Sequence, residues 1–65
     1  MTRKHFEALA YGLRRQRPER DEYSPEAYTE RLLEWQRCVK AMADVCRQFN
    51  GLFDRERFID ACGAR

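Results

Sequence analysis

Few residues in this 65-residue chain have side chains suited to chemistry. His5, Cys38, Cys46 and Cys62 could together supply a Cys3His metal set, but no two of them have the short separation that closes a structural zinc site. Cys38 and Cys46 lie about 12 Å apart along one predicted helix, too far for a disulfide bond. We therefore predict no metal and no cofactor. We expect thiols that pack as small apolar groups, with Cys62, near the C-terminus, as the exposed one.

Carboxylates form the other candidate group. Glu26, Glu30 and Glu34 recur every four residues, which places them in one row on a helix, the acidic row. General acid–base catalysis needs such groups inside a cavity, whereas an exposed row near a helix N-terminus simply stabilises the helix dipole. The sequence also has no Gly-rich phosphate loop, no H-E-x-x-H motif and no Ser-His-Asp set. These features favour a protein that is not an enzyme.

A long central helix is predicted to carry the acidic row. Ser24 is a good N-cap, Pro25 fits the first helical position, and Asn50-Gly51 suits a left-handed C-cap, so we predict a helix over 25–49. Apolar residues recur along it in alternating steps of four and three, which places them on one face: Tyr28, Leu32, Trp35, Val39, Met42, Cys46 and Phe49. We expect the second half to be the buried half, because further apolar residues widen this face there: Cys38, Ala41, Ala43 and Val45.

The first predicted helix covers about 3–16, with Thr2 as its cap. Pro18 disfavours helical geometry at the residue before it and ends this helix. Gly12 inside the helix predicts a close approach to the central helix. We expect the following stretch, 17–23, to be a solvated connection because it lacks apolar periodicity.

The third predicted helix covers about 55–62. Asp54 is a strong N-cap, Phe53 and Phe58 have the spacing of a hydrophobic staple, and Gly63 ends the helix. The predicted core joins residues of all three helices: Phe6, Leu9, Leu13, Trp35, Val39, Phe49, Phe53 and Phe58.

These elements predict an all-α fold, in which two shorter helices pack on a long central one within a single domain over 1–65. The widened face of the central helix favours a monomer over an obligate coiled-coil dimer. A chain of this size has a marginal core that a partner or self-association can help. The chain shows no signal-peptide pattern and no apolar run long enough to span a membrane, so we expect an intracellular protein.

Charge is unevenly distributed, although the net charge is only +2. Residues 1–20 carry a net +4, residues 21–34 a net −4 and residues 35–65 a net +2. Such patches steer encounter with a charged partner and contribute specificity. The predicted partner-binding surface, called the charged surface below, consists of an arginine cluster and an acidic run: Arg14, Arg15, Arg17, Arg20, Asp21, Glu22, Glu26, Glu30 and Glu34.

Two classes of function fit this charge pattern. A small DNA-binding transcriptional regulator could use the basic cluster, but the low net charge argues against many phosphate contacts. The connection from residue 16 to residue 24 is also too long for a helix-turn-helix, and the helix after Gly51 mixes acids with its bases. We therefore favour a stoichiometric binder of another protein and keep the DNA-binding regulator as the alternative.

Short segments at both ends of the chain, together with Trp35, resemble small proteins of bacteriophages and integrated elements in proteobacteria. The similar segments are Arg3-Lys4-His5-Phe6-Glu7-Ala8-Leu9-Ala10, Phe49-Asn50, Phe53-Asp54-Arg55, Arg57-Phe58 and Ala61-Cys62-Gly63. In particular, the chain resembles type I-C anti-CRISPR proteins of Pseudomonas elements. The resemblance implies an inhibitor in the host cytoplasm that binds the Cascade surveillance complex at its large subunit and blocks target-DNA binding. The similar residues are mainly caps and core positions, so no inhibitory residue carries over.

Overall fold

The computed structural model describes residues 3–64. Within them the chain forms three α-helices: α1 (Arg3–Arg15), α2 (Pro25–Phe49) and α3 (Arg55–Cys62). A single 3-10 turn, Arg20–Glu22, lies in the connection between α1 and α2. The predicted all-α architecture and the bounds of α2 and α3 are confirmed, and α1 ends one residue earlier than predicted. The predicted cap Thr2 lies outside the described residues.

Local capping explains where α2 and α3 begin. The Ser24 hydroxyl accepts a hydrogen bond from the Ala27 N–H at 3.3 Å, and Pro25 follows at the first helical position. The Asp54 carboxylate accepts from the Arg57 N–H at 3.0 Å, and the rings of Phe53 and Phe58 lie 5.3 Å apart as the staple requires. These caps satisfy backbone donors that have no partner within the helix.

The helix ends differ in geometry. Gly63 ends α3 in the left-handed conformation, with a φ of 73°, as predicted. Asn50 is the C-cap of α2, as predicted, but the predicted left-handed conformation is wrong, because Asn50 is extended and no residue there has a positive φ. Asn50 ends α2 another way: its side-chain oxygen accepts from the Leu52 N–H at 3.0 Å and closes the turn. An Asn side chain that mimics a backbone turn makes the left-handed conformation unnecessary.

The core lies on one side of α2, against which α3 packs. α1 packs mainly on α3 and meets α2 near Trp35, so it does not lie along the central helix as predicted. Its buried residues are Ala10, Trp35, Val39, Ala43, Cys46, Phe58, Ile59, Cys62 and Ala64. Leu9, Leu13, Leu32 and Phe53 pack at its edge. Three of the four buried residues of α2, namely Val39, Ala43 and Cys46, lie in its second half, which is therefore the more buried half, as predicted.

Three polar contacts hold the helices in place. The Trp35 indole N–H donates to the Leu13 carbonyl oxygen at 2.9 Å, which joins α2 to the end of α1. The Gln36 side chain donates to the Ala64 carbonyl oxygen at 3.0 Å, and Arg55 pairs with Asp44 at 2.7 Å. The last two contacts orient α3 antiparallel to α2, because the start of α3 lies beside Asp44 and its end beside Gln36.

Several predictions about burial are wrong. Phe49 was predicted in the core but is 81% exposed, and Met42, Cys38, Ala41 and Val45 are exposed as well. Two short helices cover only one side of α2, and Phe49 lies about 80° around the helix from the fully buried Val39. The widening of the apolar face therefore does not correspond to a wider core.

The prediction for Gly12 is also wrong. A Cβ atom at this position has no neighbour within 4 Å, so Gly12 makes no close approach to α2. It lies on the exposed side of α1.

Candidate binding surface

The structure places all nine residues of the charged surface on the exterior. Arg14 and Arg15 occupy the last turn of α1, where positive charge interacts favourably with the helix dipole. Arg17 follows in the turn that leaves α1, since its N–H donates to the Arg14 carbonyl oxygen at 3.2 Å. The predicted solvated connection, in which this turn lies, is correspondingly exposed at most positions.

The 3-10 turn brings charges of both signs together. Arg20, Asp21 and Glu22 are its three residues, and all are exposed. The turn packs against α2 next to Tyr23, whose ring lies 5.6 Å from the Arg31 guanidinium. The connection therefore lies against α2, although its polar residues face solvent.

The acidic row occupies the first half of α2. Glu26, Glu30 and Glu34 are all exposed and extend over about 12 Å of helix. Glu34 lies about 100° around the helix from the buried Trp35, so the row faces away from the core. None of the buried residues of α2 precedes Trp35, which leaves the acidic side of this segment open to a partner.

The charged surface is not neutralised internally. The ion pairs found within residues 3–64 join Arg3 to Glu7, and Arg55 to Asp44 and Glu56, and none of them includes a residue of the charged surface. Arg15 instead lies 5.8 Å from the Tyr11 ring, a cation–π contact. Both signs of charge are therefore available for pairing with another molecule.

Sequence reasoning missed an exposed apolar surface on the second half of α2. Its members are Cys38, Met42, Val45 and Phe49. Phe49 is 81% exposed. The residues recur in steps of four, three and four, so the spacing of a helix face was visible, but it could not show which apolar face lacks a partner.

The cysteines differ from the prediction. Cys62 is fully buried, whereas Cys38 is exposed. Burial raises the pKa of the Cys46 thiol, partly offset by a backbone hydrogen bond, and burial together with the nearby Cys46 raises the pKa of Cys62. Both buried thiols therefore stay protonated and unreactive near neutral pH.

No metal-binding group is found in the described part of the chain, where no three His, Cys, Asp or Glu side chains come together. His5 is exposed on α1. An open groove of about 290 Å³ lies between α1 and α3 above the rings of Phe6, Phe53 and Phe58. Arg3 and Arg57 are among the residues that line it. The ring centres of Phe6 and Phe53 are 4.7 Å apart, so the floor of this groove is aromatic.

Across residues 3–64, none of the helices is both long and apolar enough to cross a membrane. A scan of protein-family models and searches of curated proteins and of solved structures found no match to this chain.

Proposed function

We propose that this protein is a non-enzymatic inhibitor that acts by stoichiometric binding to another macromolecule. The observation that carries the proposal is the charged surface: nine exposed side chains of both signs, without ion pairs to one another in the described structure. Its residues lie on a helix end, a short turn and a rigid helix, which limits the entropy lost on binding.

The target proposed from the sequence resemblance is the type I-C CRISPR surveillance complex of a bacterial host. In this proposal the protein is the product of a phage or mobile element, and it binds the large subunit of Cascade in the host cytoplasm. Binding there prevents the complex from engaging target DNA.

The acidic row is the part of the surface suited to a DNA-binding groove. Its carboxylates follow one another about every 6 Å along α2, whereas a DNA strand carries one phosphate per about 3.4 Å of helix axis. Three carboxylates therefore replace only some of the phosphates that such a groove accepts. Asp21 and Glu22 precede the row along the chain and add two further negative charges.

The arginine cluster has a different role in this proposal. Charges of opposite sign beside the acidic row fix the orientation of the bound protein, because a basic groove repels the arginines while it attracts the carboxylates. The same cluster is the feature that the alternative, a DNA-binding regulator, requires.

Reversal of the acidic row tests the proposal. The triple variant Glu26→Lys, Glu30→Lys and Glu34→Lys should lose binding to purified type I-C surveillance complex and should no longer prevent it from shifting target DNA in a gel. A control variant makes the same change of six charge units at exposed acids outside the row: Glu7→Lys, Glu19→Lys and Asp60→Lys. Circular dichroism should show equal helix content in both variants.

Each outcome of this experiment has a distinct meaning. Inhibition by the triple variant at wild-type strength would show that the acidic row is not the binding site. An equal loss of binding in the control variant would show that the loss comes from the change in net charge alone. Failure of the wild-type protein to bind the complex would overturn the proposed target. A wild-type gel shift on duplex DNA that falls steeply with salt would support the regulator instead.

A further inference from the structure

The exposed apolar surface on the second half of α2 has no role in the proposed inhibition. Exposed positions of α2 elsewhere are mostly charged, but this surface and its exposed neighbours Ala41 and Gln48 carry no charge at all. Depletion of charge at the centre of an apolar patch is typical of protein–protein interfaces. Contiguous exposed apolar patches of this kind mark interaction sites on the surfaces of proteins.

Nothing within residues 3–64 covers this surface. α3 packs on the side of α2 that carries Val39, Ala43 and Cys46, all of them buried, and α1 packs mainly on α3. Phe49 is 81% exposed, the highest exposure of a large apolar residue within α2. Exposing its ring to water is unfavourable, so burial of this surface against another molecule stabilises it.

The spacing of the surface matches the seam of a two-helix contact. Cys38, Met42, Val45 and Phe49 lie on α2 in steps of four, three and four. Steps of four and three are those of the a and d positions of a heptad, which pack against the same positions of another helix. Such a surface can pack against a second helix whose apolar residues recur at the same spacing.

We propose that this surface binds a second copy of the chain, with the two α2 helices antiparallel and a two-fold axis passing between Met42 and Val45. This pairing sets Met42 against the partner's Val45 and Cys38 against the partner's Phe49. The four residues from each copy form the apolar centre of the interface, and the polar side chains around them form the rim that a specific interface of about 1,200–2,000 Å² requires.

Charge selects the antiparallel arrangement. Residues 21–34 carry a net −4 and residues 35–65 a net +2. A parallel pair places the two acidic halves of α2 side by side, where they repel each other. The antiparallel pair places them at opposite ends of the dimer, where each acidic row stays exposed, and it also opposes the two helix dipoles favourably.

The size of the internal core supports self-association. Val39 and Cys62 are the largest side chains that are fully buried in the described structure, and three of its nine buried residues are alanines. A chain of this length has a marginal core, and burial of apolar surface between two copies is a common compensation.

Sedimentation equilibrium of the full chain tests the proposal. The wild-type protein should be dimeric at tens of micromolar, and Met42→Glu with Val45→Glu should raise the dissociation constant more than tenfold without loss of helix content. Leu33→Glu is the matched control, because Leu33 is 48% exposed but lies on another side of α2, and it should leave the dimer intact. A wild-type protein that stays monomeric up to several hundred micromolar would overturn the proposal.

Cross-linking tests the orientation independently. In the antiparallel pair the two Cys38 thiols lie about 16 Å apart along the helices and cannot be joined by oxidation. The variant Phe49→Cys should form a disulfide-linked dimer, through Cys38 and the substituted position of the partner. Linkage of the wild-type protein through Cys38 alone would show a parallel pair and overturn the antiparallel one. A monomeric wild type whose binding to the surveillance complex is lost on Val45→Glu would assign the surface to the target instead of a second copy.

Discussion

At the scale of single residues, the thiols show how burial decides chemistry. Cys46 and Cys62 are buried in the core between α2 and α3, while Cys38 faces outward on the same helix as Cys46. The sequence position of Cys62, three residues from the C-terminus, suggested exposure. Its spacing of four from Phe58 and three from Ile59 places it on their buried face, and this periodicity was the better guide.

The buried thiols predict a loss of stability at alkaline pH. Burial raises the pKa of both Cys46 and Cys62 above the usual 9.0, so the folded state holds these protons more tightly than the unfolded state. Their contribution to stability is complete below pH 9.0 and is lost as the pH rises through the folded-state pKa. Urea denaturation should give a lower free energy of unfolding at pH 10 than at pH 8.

A double variant isolates this effect from other groups that titrate in the same range. Cys46→Ala with Cys62→Ala should have a smaller decrease in stability between pH 8 and pH 10 than the wild-type protein, whatever its stability at pH 8. An identical decrease in both proteins would assign the pH dependence to the tyrosines and lysines.

At the scale of secondary structure, the sequence predicted the first residues of the helices much better than it predicted which sides of the helices are buried. The capping bonds of Ser24, Asp54 and Gly63 join atoms no more than four residues apart, and Pro25 acts through its own fixed backbone angle. Such local effects can be predicted from a sequence. The burial of a helix face depends on which other helix packs against it. The lengths of α1 and α3 and the connections between the helices determine that packing. The apolar face of α2 was therefore predicted, but the division of it into a buried and an exposed part was not.

Two glycines give opposite predictions for the same substitution. Gly12 lies inside α1 with open space around it, so Gly12→Ala should raise the free energy of unfolding by up to about 1 kcal/mol. Gly63 also has open space but a φ of 73°, so Gly63→Ala should lower it by about 1–2 kcal/mol through backbone strain alone. Thermal denaturation followed by circular dichroism measures both. Stabilisation by both substitutions would contradict the left-handed conformation of Gly63.

At the scale of the whole molecule, the shape is set by one helix. The principal extents are 39, 17 and 13 Å, and α2 alone is about 37 Å long. The helix packing is concentrated from Trp35 onward, while the part of α2 that carries the acidic row packs against the 3-10 turn and, at Leu32, against the edge of the core. The candidate charged surface lies on this less supported half. The residues of the charged surface could be predicted from the sequence, because charged side chains are almost always exposed. The molecule that this surface binds could not be predicted from the charge pattern.

This unequal support predicts unequal hydrogen exchange along α2. Backbone amides of residues 29–34 should exchange at least tenfold faster than those of residues 39–46, because the first group has few buried apolar neighbours. Exchange followed by mass spectrometry on overlapping peptides resolves the two groups. Equal protection along α2 would mean that the helix opens only as a unit with the rest of the chain.

The position of Trp35 makes it an intrinsic fluorescence probe of the packing between α1 and α2. It is the sole tryptophan, it is 8% exposed, and its N–H is held by the last turn of α1. Its fluorescence should shift to longer wavelength when α1 detaches. Since the indole faces away from the acidic row, a ligand captured there should leave the emission almost unchanged, and a spectral shift on mixing would signal that the helices have come apart.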